Sequence, residues 1–111
     1  MKYILNALGE PEQCDDIMDW AMWFETASRR VALTKLDEPH TDVTYIVSTV
    51  FLGLNYNHFS GPPILWETMV FKGDKGMWFD RCGGSREQAE AMHDNMCRKI
   101  TERTTYLLSK A

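Results

Sequence analysis

The chain has 111 residues, enough for one domain and too few for two independent cores. Its 44% hydrophobic and 25% charged content is that of a globular protein, and a net charge of −4 with no Lys/Arg run longer than Arg29-Arg30 or Arg98-Lys99 sets nucleic acid aside as a partner. No apolar stretch approaches a membrane span, no signal segment opens the chain, and Cys14, Cys82 and Cys97 lack C-x-x-C spacing, so free thiols in a cytoplasm, with no disulfide, metal or other cofactor, are the expectation.

Lys2 to Leu5 reads as a short first strand, broken by Gly9-Glu10-Pro11. Asp15 or Asp16 can cap a helix that runs to about Thr26, with Ile17, Trp20, Ala21 and Phe24 at helical offsets on one face. Met18, Met22 and Trp23 widen that stripe beyond what one buried face needs, which leaves Trp23 or Met22 as an exposed anchor. Arg30 to Leu36 fits a strand ending at the turn signal Asp37-Glu38-Pro39.

Asp42 to Leu54 is the clearest strand, rich in Val, Ile, Thr, Tyr and Phe. Asn55 to Pro63 is a loop. Ile64 to Phe71 is the next strand, and Lys72 to Gly76 turns the chain back into a hairpin partner, Met77 to Arg81. Ser85-x-x-Gln88 has the form of a capping box and opens the last helix, whose stripe is Ala89, Met92, His93, Met96, Ile100 and Leu107. The expected fold is therefore α+β, in the order β-α-β-β-β-β-α: an antiparallel sheet of three to five strands with two helices packed on one face.

The two long strands do not alternate cleanly between apolar and polar. Leu65, Glu67, Met69 and Phe71 share one face of their strand, and Ile64, Trp66, Thr68 and Val70 the other. Tyr45, Val47 and Phe51 alternate with Ile46, Val50 and Leu52. A sheet with one wet face alternates apolar with polar, and two helices cover one face only. The second face, with Tyr45, Trp66 and Val70 upon it, is expected to meet another protein chain, a copy of itself or a partner.

The segments Asp19 to Ala27, Val47-Ser48-Thr49-Val50-Phe51-Leu52-Gly53-Leu54 and Gly61-Pro62-Pro63-Ile64-Leu65-Trp66-Glu67-Thr68-Met69-Val70-Phe71, with the closing Ala89-x-x-x-His93, resemble a widespread family of small phage and prophage proteins. The resemblance covers most of residues 15 to 96 and implies a phage-encoded protein of the host cytoplasm, with no catalytic activity attached. The chain departs from the family pattern where an Asp-His pair follows the Leu-Gly-Leu segment: it has Asn55-Tyr56. It departs again at Gly83-Gly84-Ser85-Arg86, in place of a Ser-Thr-Trp-type segment.

Few residues carry a chemical signal. Glu67, mid-strand between Leu65 and Met69, is either a desolvated general base or a structural carboxylate paired with Arg29, Arg30 or a hydroxyl, and the structural reading is favoured. His58 and Phe59 stand in a loop stiffened by Gly61-Pro62-Pro63, placed for contact. His93 and Cys97, four apart on a helix, have the spacing of two metal ligands but fit better as part of the packing stripe. No phosphate loop or nucleophile elbow is present. The expected role is accessory protein–protein binding through Trp23, Tyr45, His58, Phe59 and Trp66, to a second copy or to a host protein, with inhibition of host defence or other host machinery as the outcome. The alternatives are a small enzyme or small-molecule binder with a pocket near Glu67, His58 and Arg81, and a minor virion or assembly protein.

Overall fold

The computed structural model describes residues 1–110, with side chains described through Thr104; Leu107 lies outside the described side chains. Eight elements follow one another: β1 (Tyr3–Leu5), β2 (Pro11–Gln13), α1 (Ile17–Thr26), β3 (Arg30–Asp37), β4 (Thr44–Phe51), β5 (Trp66–Lys72), β6 (Lys75–Cys82) and α2 (Arg86–Lys110). β3, β4, β5 and β6 form an antiparallel meander in that order, and β1 pairs with β2 in a separate ribbon. The long strands are adjacent and antiparallel, with Val47 opposite Val70 and Phe51 opposite Trp66.

β2 is the element that sequence pattern misses. Pro-Glu-Gln has no strand character of its own. The Asn6 side chain forces the pairing by accepting from Leu8 N and Glu10 N, which closes a turn with Gly9 at a positive φ. Proline is tolerated because β2 has a neighbour on one side only.

Asp16 caps α1, its carboxylate accepting from Met18 N at 2.9 Å and Asp19 N at 3.0 Å. The buried side of this helix differs from the expected stripe. Trp20, Trp23 and Phe24 turn inward, whereas Ala21 is exposed and Ile17 is 61% exposed. The rotation follows from the Trp20 indole, which donates to the carbonyls of both Tyr3 (3.1 Å) and Gly53 (3.0 Å). Phe24 stacks on Trp20 and lies over Gly53, where φ is positive and any larger residue would meet the ring. Trp23 then reaches the edge of Phe51. Met22, with 66% of its surface exposed, is the residue of the expected pair that stands outward; Trp23 is half-buried in the core.

The capping box of α2 is present as the sequence predicts: Ser85 N donates to Gln88 Oε1 at 3.0 Å, and Gln88 N to Ser85 Oγ at 3.3 Å. From there α2 lies along the face of the sheet that carries Tyr45, Val47, Thr49 and Phe51 on β4 and Trp66, Thr68 and Val70 on β5. Its buried side supplies Ala89, Met92, His93, Met96 and Ile100. Two apolar clusters result. One gathers Tyr45, Val47, Val70, Met96 and Ile100; the other gathers Phe51, Leu65, Trp66, Ala89 and Met92, with Trp23 from α1 packed against it. Both helices therefore serve the same face.

This arrangement corrects the expected face assignment. Tyr45, Trp66 and Val70 are the core, not the uncovered surface, and the uncovered face is the one with Ile46, Val50, Glu67, Met69 and Phe71. The reason is physical: each face carries polar residues, but Thr49 and Thr68 are neutral and can be satisfied internally, whereas Glu67 keeps its charge near water.

Trp66 is fully buried and its indole N–H donates to the Gly84 carbonyl. Trp66→Ala is expected to cost about 3–5 kcal/mol in urea denaturation, and Ile17→Ala to stay within about 0.5 kcal/mol of wild type. The opposite order of effects would contradict the helix rotation described above.

Candidate functional site

Three cross-strand rows make the uncovered face. The register places Lys35, Ile46 and Phe71 in one row, Leu33, Ser48, Met69 and Phe79 in the next, and Arg30, Val50, Glu67 and Arg81 in the third. Among the described residues no helix crosses these rows. Phe79 is 60% exposed, Leu33 is exposed, and Ile46, Val50, Met69 and Phe71 are half-buried by their neighbours alone. The apolar residues run through the middle, and Arg30, Lys35 and Arg81 stand at the borders.

Glu67 and Arg81, expected to lie near one pocket, do meet. Arg81 Nε donates to Glu67 Oε2 at 2.8 Å, and the guanidinium also lies over the rings of Phe79 (4.8 Å) and Tyr56 (5.1 Å). The carboxylate therefore has a structural partner, though Arg81 supplies it rather than Arg29 or Arg30. Arg29 instead covers Phe24 and donates to the Phe51 carbonyl. Among the described residues His58 makes no hydrogen bond to Glu67 or Arg81.

The loop that holds His58 and Phe59 is built on two asparagines. Asn55 Oδ1 accepts from Asn57 N and Ile64 N, Asn57 Oδ1 accepts from Phe59 N, and Asn57 Nδ2 donates to the Pro62 carbonyl. These bonds close the loop on itself and hold Phe59 outward with 87% of its surface exposed. Tyr56, through its contact with Arg81, ties the base of the loop to one corner of the uncovered face.

Of the five expected contact residues, His58 and Phe59 are thus displayed. Trp23, Tyr45 and Trp66 serve the core instead. The Tyr45 hydroxyl donates to Glu38 Oε2 at 3.0 Å, and burial followed by that carboxylate raises its pKa. The residues that sequence reasoning did not assign to contact are Leu33, Ile46, Val50, Met69, Phe71 and Phe79. The signal for them was charge: Lys35, Glu67 and Arg81 all fall on their side of the sheet.

His93 occupies the centre of the opposite, covered face. It is 3% exposed, with Thr34 Oγ1 at 2.8 Å from Nε2 and Thr49 Oγ1 at 2.7 Å from Nδ1; Thr49 in turn meets Thr68 Oγ1 at 2.5 Å. Hydroxyls donate or accept, so either neutral tautomer is satisfied. Both ring nitrogens are occupied, which leaves none for a metal, and among the described residues no group of three His, Cys, Asp or Glu side chains could hold one. Cys97, beside Thr34, has its thiol pKa raised chiefly by burial, as has Cys82; with Cys14 they are free thiols. No helix among the described residues is long and apolar enough to cross a membrane.

No family model matches the chain, and neither a curated protein nor a solved structure shows significant similarity to it.

Burial lowers the His93 pKa from 6.5, with Asp94 opposing weakly. The folded state thus stays neutral where the unfolded state binds a proton. The stability His93 contributes is complete above 6.5 and is lost as pH falls from there through its lower folded value. Urea denaturation across this range is expected to show stability falling with pH, and His93→Gln to remove that part of the slope. An unchanged slope would show that His93 is not the group responsible.

Proposed function

We propose that the chain is a binding protein whose docking surface is the uncovered face of the four-stranded sheet, and that its partner is a protein with an apolar patch bordered by carboxylates. The observation that carries this reading is the set Leu33, Ile46, Val50, Met69, Phe71 and Phe79, side by side on a face that no element covers among the described residues. Contiguous apolar surface of this kind marks interaction sites in soluble proteins. Aromatic, methionine and arginine side chains are also the types that anchor interfaces.

Charge favours a different protein over a second copy. The face carries Arg30, Lys35 and Arg81 against Glu67 and, at its end opposite Thr44, Asp37, a positive excess on a chain whose net charge is −4. Two such faces in apposition bring like charges together, whereas an acidic border relieves them. The resemblance to small phage proteins directs the search for the partner to host machinery. The Phe59 loop, held at one corner, adds a projecting contact.

The test is affinity capture from host lysate with wild type and with Met69→Glu and Phe79→Ala, followed by titration of the captured protein. Each substitution is expected to weaken binding on the order of tenfold or more. A partner retained equally by both variants would remove the sheet face from consideration. Sedimentation as a dimer dissociated by Met69→Glu would assign the face to a second copy instead.

A further inference from the structure

A second surface lies at the other side of the sheet edge. β6 is the last strand of the meander and pairs with β5 alone among the described residues, so its outer N–H and C=O groups have no ladder partner. α2 does not lie flush against it. Between strand and helix runs an open groove of about 580 Å³, lined by Trp78, Phe79 and Asp80 from β6 and by Met96, Lys99 and Arg103 from α2.

The groove combines an apolar floor with cations that no acid among the described residues pairs with. Met96 belongs to the core and Trp78 packs against its margin. The Arg103 guanidinium lies 4.8 Å from the Trp78 ring centroid, and among the described residues neither Lys99 nor Arg103 has a carboxylate within ion-pair distance, the ion pairs being Glu67–Arg81 and Arg86–Glu90. Asp80 lines the same groove from the β6 side, its carboxylate accepting from Arg81 N at 2.9 Å and, among the described residues, making no ion pair with Lys99 or Arg103.

We infer that this groove binds an extended acidic peptide, which adds to the sheet as a fifth strand along β6. An unpaired strand beside a helix offers the backbone ladder, and the pocket between them reads every second side chain of the added strand. One such side chain packs on Trp78 and Met96, and an Asp or Glu reaches Lys99 and Arg103. Aspartate or glutamate is selected because Lys99 and Arg103 have no ion-pair partner among the described residues. The uncovered sheet face is not required for this contact.

The experiment is selection from a random short-peptide library on the immobilised protein, then labelling of the protein with ¹⁵N and titration of the enriched peptide. Enrichment of Asp or Glu at one position between β-branched residues is expected, with shifts of the Trp78 indole and β6 amides and slowed hydrogen exchange along β6. Lys99→Glu with Arg103→Glu is expected to weaken binding tenfold or more, Lys99→Gln with Arg103→Gln to weaken it less, and Met69→Glu to leave it unchanged; circular dichroism of each variant checks folding. The glutamine pair carries the test should the charge-reversed pair not fold. Three results overturn the proposal: no acidic enrichment, binding indifferent to both pairs of substitutions, or groove shifts without protection of β6. Binding abolished by Met69→Glu alone would place the peptide on the open face, which ends the groove proposal and leaves the docking-face reading standing.

Discussion

The structure depends on one imidazole. His93 enters the sheet between two apolar clusters and accounts for the hydroxyls of Thr34 and Thr49, with Thr68 bonded behind Thr49. An unsatisfied hydroxyl at this depth would cost about 1–3 kcal/mol, so without His93 the face bearing Thr49 and Thr68 would be a poor one to bury. With it, that face becomes the core. The bonds also fix the helix against the sheet, because sliding α2 by one turn would unpair three residues at once. A purely apolar seam has no such discrimination.

Which face is open follows directly. Once α2 is committed to the threonine face, Glu67, Lys35 and Arg81 are left on the other, where water can reach their charges. The same commitment places Lys99 and Arg103 on the flank of α2 nearest β6. Two surfaces in which cations outnumber acids thus arise on an acidic chain from a single packing decision. α1 takes no part in it: its tryptophans attach the N-terminal ribbon and the end of β4 to the edge of the core.

Local signals in the sequence were sufficient wherever the chain's own neighbours decide conformation. The Ser85–Gln88 box, the turn between β5 and β6, and the extended character of β3, β4 and β5 are all of that kind. They were insufficient where a distant residue decides. Thr49 looks half-polar until His93, far along the chain, is seen to bond it, with Thr68 joined through Thr49. Ile17 looks like a core residue until Trp20 finds the Tyr3 and Gly53 carbonyls and turns the helix. The candidate site depends on the first of these: the pattern shows that β4 and β5 have two apolar faces, but only the His93 bonds decide which of them α2 covers. Asn55, which departs from the pattern the resemblance implies, accepts two backbone bonds through its amide oxygen and so shapes the loop.

That loop has a consequence for how the protein can change. Its closure rests on the amides of Asn55 and Asn57 and the carbonyl of Pro62, none of which involves the side chains of His58, Phe59 or Ser60. The frame and the tip are chemically separate. Substitutions at the tip can therefore accumulate without disturbing the sheet, much as an antibody domain varies its loops on a constant framework. The tip is thus the part of the molecule free to vary, while the asparagines beneath it hold the frame.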